Sequence, residues 1–328
     1  MKLTISVIIP THNRPELLRE AVDSVLLQTL QPLEILIVDD ASDPPVNATD
    51  FTGLGTIPIH VLRHPKSLGG AAAKNTGAHA AQGEALAFLD DDDLYATAYL
   101  ERATALLSSH PEIDVSFMAV EWFGPYSSGG AQNYEHAMRR LLDNAHSTQI
   151  ETEALAFGSA LVDALLLTVP MAFQRAVVRT GAFKRIGDYT EHCILWDCDW
   201  ALRAALDGPT LLNLTPLYRQ RAAGQGFFSQ AETTLKHLRS SIEIRERLGT
   251  GFNGDVTLHP HLRKAFRRAS ALAYFNLAYY LQAHNQPRAA LHAWLDSQKR
   301  SPSLRRCKFP LRVIMGAFRQ LAVAQKAG

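Results

Sequence analysis

The chain has 328 residues, of which 47% are hydrophobic and 20% charged, as is typical of a globular protein with one large domain or two unequal ones. Its three cysteines form no disulfide pattern and no CxxC pair, which favours a reducing compartment. The longest apolar stretch, residues 154–173, contains Asp163 and Pro170 and is therefore expected to be buried protein rather than a membrane span. Because no signal-peptide pattern is visible, we expect a cytoplasmic location.

The net charge of +1 conceals a division of charge along the chain. Residues 1–254 contain 20 Lys and Arg against 30 Asp and Glu, whereas residues 255–328 contain 13 against 2. A basic tail after an acidic body suggests that the tail contacts something anionic, such as a membrane, a partner or the body itself. The helix predicted over 311–325 is basic and amphipathic, so it is a candidate for peripheral contact with the inner membrane or for ordinary packing.

Apolar runs alternate with helical periodicity over the first 120 residues, which predicts a doubly wound α/β sheet. Helices are predicted to begin near Pro15, Gly69 and Ala98. The strands predicted between them cover residues 3–9, 34–38, 57–63, 85–89 and 113–122.

The pattern is less regular beyond residue 125. It predicts a Ser/Gly loop over 126–130, strands over 172–178 and 211–217, and helices over 135–143, 151–161 and 196–206. From Thr233 onward the chain is predicted to be helical, with a tetratricopeptide-like hairpin over 263–299 that must pack on the body or on a partner.

Four consecutive carboxylates, Asp90–Asp93, follow the strand predicted at 85–89. Ligands of open α/β sheets bind at the carboxyl ends of the strands, and adjacent like charges either raise their pKa values or require a cation. Such an oxygen-rich cluster suits Mg²⁺ or Mn²⁺ bridged to phosphates. The alternatives are a solvated acidic turn and a capped helix N-terminus. A dinucleotide fold and a P-loop are disfavoured because no GxGxxG or GxxxxGK[ST] follows a strand.

Four segments together resemble the inverting family-2 glycosyltransferases with the GT-A fold. They are SVIIPTHNR at 6–14, EILIVDDAS at 34–42, AAAKNTG at 71–77 and FLDDDD at 88–93. The resemblance spans about residues 3–225. It implies an α/β fold, a Rossmann-like mixed sheet flanked by helices, with nucleotide-sugar binding in 1–124, an acceptor side in 125–225 and a helical C-terminal extension over 226–328.

The same resemblance implies metal-dependent transfer, with inversion, of a sugar from a nucleoside-diphosphate sugar, UDP-linked by preference, to a hydroxyl acceptor. A glycan or lipid-linked acceptor in cell-envelope polysaccharide or lipopolysaccharide synthesis is the family expectation, and no nucleic-acid partner is expected. The alternative is a non-catalytic nucleotide-sugar sensor or scaffold of the same fold. A metal-dependent phosphatase or nucleotidyltransferase would instead attack phosphate, but its motifs are missing from the chain.

The matching positions imply a set of site residues. Asp92 is the expected ligand of Mn²⁺ or Mg²⁺, with Asp90 at the metal or the ribose, and Asp40 is expected to accept the N3–H of the base. Lys74 stands where the family usually has Arg, and Arg221 where it usually has His. The nucleotide-sugar contacts implied are Pro10, Thr11, His12, Asn13, Asp40, Lys74, Asn75, Asp90, Asp91, Arg219 and Arg221.

The general base is expected within LWDCDWALR at 195–203, which resembles the family's Glu-Asp-x-Asp segment and assigns the role to Asp197. Trp196 stands where the family often has Glu. Apolar Trp196 and Trp200 would raise the pKa of Asp197, which favours proton acceptance. The alternatives are that Asp197 and Asp199 only cap a helix, with Glu191 or His192 as the base.

Overall fold

The structure is a computed structural model that describes residues 3–51, 56–222, 231–251 and 258–313. The chain divides into two compact units, Met1–Gln225 and Gly226–Gly328. The first contains one mixed sheet and the second is helical.

Four parallel strands form the first half of the sheet, in the order β3-β2-β1-β4. The central ones are continuously apolar because helices cover both faces of a parallel sheet. Helix α1 begins at a proline, whose fixed φ suits the first helical turn. The elements are β1 (Ile5–Thr11), α1 (Pro15–Leu26), β2 (Glu34–Asp39), β3 (Ile59–Arg63), α2 (Gly70–Ala80), β4 (Ala85–Phe88) and α3 (Tyr99–Ser109), with β5 (Leu94–Tyr95) between the last two.

The second half of the sheet continues from β4 in the order β9-β6-β10-β8-β7, while β5 pairs with β10. Strand β9 is antiparallel to both β4 and β6, and β10 is parallel to β6, so β1, β4, β6 and β10 all end at one edge. The elements are β6 (Val115–Phe123), α4 (Ser127–Ala145), β7 (Thr148–Glu151), β8 (Ala154–Phe157), α5 (Ala160–Leu167), β9 (Ala176–Arg179), α6 (Thr180–Ile186), α7 (Trp196–Asp207) and β10 (Thr210–Arg221).

Two predictions in this half are wrong. The Ser/Gly segment at 126–130 is not a loop, since Ser127 begins α4, and Gly130 lies so close to the indole of Trp122 that a Cβ would be 2.5 Å from the ring. The helix predicted over 151–161 is instead the β7–β8 hairpin followed by α5, because β8 pairs with β10 and this pairing outweighs the helix propensity of its Ala and Leu residues.

Strand β10 also runs four residues past its predicted end. Its register with β6 breaks between Asn213 and Tyr218, after which Tyr218 to Arg221 pair with β6 again. The strand thereby brings Tyr218 and Arg221 to the edge where Asp90–Asp93 lie.

The second unit consists of α8 (Ala231–Thr250), α9 (Pro260–Ala283) and α10 (Pro287–Arg300). Its buried core includes Ala278, Leu281, Ala290, Ala293, Phe309 and Val313. The helix predicted over 311–325 lies outside the described residues beyond 313. Among the residues described, no helix combines the length and apolarity that crossing a bilayer requires.

Candidate active site

Side-chain hydrogen bonds hold the turn after β1. The Thr11 hydroxyl donates to Asp91 Oδ2 at 2.8 Å, and His12 Nδ1 donates to the Asp40 carbonyl at 2.6 Å. His12 Nε2 lies 3.0 Å from the Asn13 amide nitrogen, so the ring is held at both nitrogens. Asn13 has a φ of 55°, a left-handed conformation that Asn tolerates better than most residues. Pro10, the last apolar position before this turn, pairs with Val38 of β2.

Asp40 follows β2, and its carboxylate is fully occupied. Oδ1 accepts from His64 Nδ1 at 2.7 Å and Leu68 N at 2.8 Å, while Oδ2 accepts from Ser67 Oγ at 2.7 Å and Gly69 N at 2.8 Å. Burial opposes ionisation, but these donors lower the pKa of Asp40 to about 2. Because a carboxylate offers about four acceptor positions, a contact between Asp40 and a bound base would replace one of these bonds.

The four carboxylates of the acidic run point to different partners, and the protein itself supplies the charges that offset them. Asp90 binds Lys74 and Arg175, and Asp91 and Asp92 share Arg14. Asp93 is buried against Tyr218, the Arg221 backbone N–H and Arg175.

Three basic side chains, Arg14, Lys74 and Arg175, thus offset part of the negative charge of the run. Asp91 is buried between Thr11 and Arg14. Burial raises the pKa of Asp91 and of Asp93, in each case against the nearby guanidinium.

Asp92 is the member of the run with room for a metal ion. Its side chain is 37% exposed, and its one hydrogen bond within the described residues joins Oδ2 to Arg14 Nη1 at 3.0 Å. No group of three or more His, Cys, Asp or Glu side chains in the described ranges is arranged as a metal site. Mg²⁺ and Mn²⁺ are nevertheless often held by one or two carboxylates together with substrate phosphates, and Asp92 fits that chemistry. Asp90 fits it less well, because Lys74 and Arg175 occupy its two oxygens.

Lys74, from α2, connects the acidic run to α7. Its ammonium is buried, lies 2.6 Å from Asp90 Oδ1, and is 4.6 Å from the centre of the Trp196 ring. Asp90 is desolvated, yet the charges of Lys74 and then Arg175 lower its pKa. Arg175 is buried with its guanidinium 4.6 Å from the Tyr218 ring, and nearby anions raise its pKa despite desolvation.

Asp197 lies in the first turn of α7, within the electrostatic field of Lys74, Arg175 and Asp90. Its Oδ1 accepts from Cys198 N at 2.7 Å. Burial raises the pKa of Asp197, and Arg175 is the largest opposing influence. A partly buried carboxylate with a raised pKa at the edge of such a sheet has the properties of a general base.

The alternatives to Asp197 have different surroundings. Asp199 is buried and accepts from Arg203 Nε at 3.0 Å and from the Thr190 hydroxyl, so it anchors the loop before α7. Glu191 is exposed and accepts from the Asn75 amide at 3.2 Å, and His192 is exposed. Asn75 itself is buried and exchanges two hydrogen bonds of 2.9 Å with the backbone of Tyr189, so it holds the same loop.

The two arginines at the end of β10 have different hydrogen-bonding and ion-pair partners. Arg219 is partly exposed and pairs with Glu121 at 3.3 Å. Arg221 lies inside the site, since its Nε donates to the Asp92 carbonyl at 2.8 Å and its Nη2 binds Glu20. In this structure both guanidinium groups therefore bind protein acceptors.

Sequence reasoning missed four residues of this site: Arg14, His64, Arg175 and Tyr218. Arg14 lay inside a quoted motif, so it could have been found there. The other three bind partners far away in the chain, and no local pattern predicts those contacts.

The mixed sheet flanked by helices, with carboxylates and buried cations at the carboxyl ends of its strands, has the GT-A fold. Residues 6–160, just under half of the chain, match the family described as "Glycosyl transferase family 2", the family that the sequence motifs resemble.

Known proteins agree with this assignment. The chain is 37% identical over 102 residues to an uncharacterized glycosyltransferase, YwdF, of Bacillus subtilis, a match that covers 30% of this chain and 37% of YwdF. The fold resembles S. aureus TarS 1–349 in complex with UDP-GlcNAc, with a TM-score of 0.61 and 16% identity, over 92% of this chain and 82% of that one. It also resembles the mannosyltransferase PcManGT of Pyrobaculum calidifontis in complex with GDP-Man and Mn²⁺, with a TM-score of 0.58 and 15% identity, over 98% and 81% of the two chains.

Proposed function

We propose that the protein transfers a sugar, with inversion, from a nucleoside-diphosphate sugar to a hydroxyl acceptor. The observation that carries the proposal is that Lys74 and Arg175 pair with Asp90 at the edge where β1 and β4 end, with Asp197 near enough for all three charges to influence it. A base with a raised pKa therefore faces a region of buried positive charge, which suits an anionic leaving group.

In this proposal Asp197 accepts the proton of the attacking hydroxyl. Its raised pKa supports the role, because a base works best when its pKa approaches the working pH. Lys74 contributes positive charge near the departing diphosphate as a point charge, without the fork geometry of an arginine. The buried Asp199–Arg203 pair and Asn75 act on the loop before α7 and thereby fix the position of Asp197.

We further propose Mn²⁺ or Mg²⁺ as cofactor, with Asp92 as its protein ligand and Asp90 beside it. When bound, such an ion offsets the negative charge that develops on the leaving phosphate. The exposed, singly bonded carboxylate of Asp92 supports this assignment, as does the Mn²⁺ named with GDP-Man in the PcManGT complex.

UDP-sugars are the donors to test first, followed by GDP-sugars, since the neighbouring structures contain UDP-GlcNAc and GDP-Man. Pro10, Thr11, His12, Asn13 and Asp40 are proposed to form the base and ribose side of the donor site, with Asp91, Arg219 and Arg221 near the phosphates. A glycan or lipid-linked acceptor of cell-envelope synthesis stays a prediction from the sequence.

The test measures release of nucleoside diphosphate from UDP-, GDP- and dTDP-sugars with Mn²⁺, for the wild type and for Asp92→Asn. The control variant Asp23→Asn removes an exposed carboxylate that pairs with Arg19 at 3.8 Å, away from the site. We expect turnover in the wild type and in Asp23→Asn, and its loss in Asp92→Asn. Donor binding without turnover would favour the sensor alternative, and absence of donor binding would contradict the proposal.

A further inference from the structure

Arg14 forms the one ion pair that Asp92 makes within the described residues. Its Nη1 lies 3.0 Å from Asp92 Oδ2 and also 3.0 Å from Asp91 Oδ1. Arg14 is the residue before α1, so its backbone is fixed by the start of the helix, where its carbonyl accepts from Leu18 N at 2.9 Å. Its side chain is 50% exposed, whereas that of Asp91 is 7% exposed.

Both partners of this ion pair are partly exposed and keep unused bonding capacity. A guanidinium has five N–H donors, and of those on Arg14 only the ones on Nη1 have acceptors in the described part of the chain. Similarly, Oδ1 of Asp92 has no hydrogen-bond partner among the described residues. A planar set of free donors beside a free carboxylate oxygen fits a phosphate and the divalent cation that accompanies it.

Asp91 holds the Arg14 guanidinium independently of Asp92. Its other oxygen accepts at 2.8 Å from the hydroxyl of Thr11, the last residue of β1, and Asp91 itself is buried. If the bond between Arg14 and Asp92 breaks, Asp91 still holds the guanidinium in place. Arg14 can therefore exchange one acceptor for another without leaving the site.

Resting on the proposed function, we propose that Arg14 couples the binding of a divalent cation to that of the donor diphosphate. Without nucleotide, Arg14 occupies Asp92 and its positive charge disfavours a second cation on the same carboxylate. With nucleotide, the Nε and Nη2 edge of Arg14 binds a diphosphate oxygen, and the negative diphosphate removes the repulsion. The cation and the nucleotide thus bind better together than separately, by the same factor in either order.

The experiment measures Mn²⁺ affinity by EPR with and without UDP or GDP, in the full chain. Arg14→Gln should bind Mn²⁺ alone about tenfold more tightly than the wild type, the order expected for charges near water. With nucleotide present the two proteins should differ little in Mn²⁺ affinity, so the coupling between Mn²⁺ and nucleotide falls by about the same tenfold.

Two further variants make the test specific. Arg19→Gln removes a half-exposed arginine on α1 that pairs with Asp23, and it should keep wild-type coupling. Arg14→Lys keeps the charge but loses the fork, so it should bind Mn²⁺ alone like the wild type and bind nucleotide more weakly. It also carries the test if Arg14→Gln folds poorly.

The outcomes separate this inference from the function on which it rests. Unchanged coupling in Arg14→Gln, or an equal change in Arg19→Gln, would overturn the role of Arg14 while leaving the transferase proposal intact. A wild type that binds neither UDP nor GDP in the presence of Mn²⁺ would instead contradict the proposed function.

Discussion

Replacing Asp40 by Asn should destabilise the first unit in a way that depends on pH. The Asp40 carboxylate accepts four hydrogen bonds, two of them from the backbone N–H groups of Leu68 and Gly69. In the Asn variant an NH₂ group, which can only donate, replaces one of the two accepting oxygens. The side chain also carries no charge. The substitution therefore removes the interactions that lower the pKa of Asp40.

The size of the effect follows from that pKa. It falls from 3.8 to about 2 on folding. Linkage converts this shift into about 2.5 kcal/mol of stability at pH 7. A lowered carboxyl pKa stabilises the folded state above the unfolded value near 3.8 and ceases to do so as pH falls through about 2. At pH 3 about half of the contribution should be left.

Urea unfolding of the wild type and Asp40→Asn at pH 7 and pH 3 tests this reasoning. We expect a difference of about 2–3 kcal/mol at pH 7 that shrinks by about half at pH 3. Asp143→Asn is the control, because it neutralises an exposed carboxylate on α4 and should change stability little at either pH. A loss in Asp40→Asn that is small, or equal at both pH values, would refute the assignment of four accepted hydrogen bonds to the ionised carboxylate.

Three further outcomes follow from the structure. Gly77→Ala should cost about 1–3 kcal/mol in urea unfolding, because a Cβ there would lie 2.4 Å from Cγ2 of Ile8. Arg203→Met should cost about 3–5 kcal/mol of unfolding free energy, because it removes the positive charge that pairs with the buried Asp199 carboxylate. In steady-state assays, kcat/KM should rise with pH, because Asp197 must lose a proton to act. The midpoint of this rise should lie above the ordinary aspartate pKa of about 3.9, because burial raises the pKa of Asp197.

Each of these has a matched control. Gly181→Ala lies in a helix with nothing within 4 Å of the new Cβ, so it should be neutral or stabilising. Arg185→Met removes a half-exposed arginine that pairs with Asp114 and Asp207 and should cost less than about 1 kcal/mol. Equal losses in the paired variants would contradict the packing and burial arguments, and an acid limb unchanged in Asp197→Asn would contradict the pH argument.

The elements that the sequence predicts well are those whose local pattern agrees with their environment. Strands β1 and β2 are apolar runs because they are buried on both faces. The start of α1 is predictable because Pro15 occupies its first position. The four-residue sequence ALAF shows where this reasoning stops. It occurs as β4 at 85–88 and as β8 at 154–157, and only the neighbouring strands distinguish the second occurrence from a helix.

In the site, too, the residues within local motifs could be predicted and the long-range contacts could not. Lys74 and Asp197 are predicted as site residues from motif positions, and the structure brings Lys74 to the acidic run and to Trp196, the neighbour of Asp197 in the chain. The charge balance could not be predicted, because Arg175 is separated by more than 80 residues from Asp93, which it contacts at 3.5 Å. The carboxylates and Lys74 were visible in the sequence, but the pairing of the carboxylates with Lys74, Arg14 and Arg175 was not.

The most direct test of the account is the turnover of Asp197→Asn against Glu191→Gln, with the donor identified in the screen and saturating Mn²⁺. We predict that Asp197→Asn loses roughly 10²–10⁴-fold in kcat while keeping wild-type affinity for the nucleoside diphosphate. Glu191→Gln should turn over at close to the wild-type rate, and NMR of the wild-type product should show an inverted anomeric configuration. Near-normal turnover in Asp197→Asn, or retention of configuration, would contradict the proposed base and mechanism.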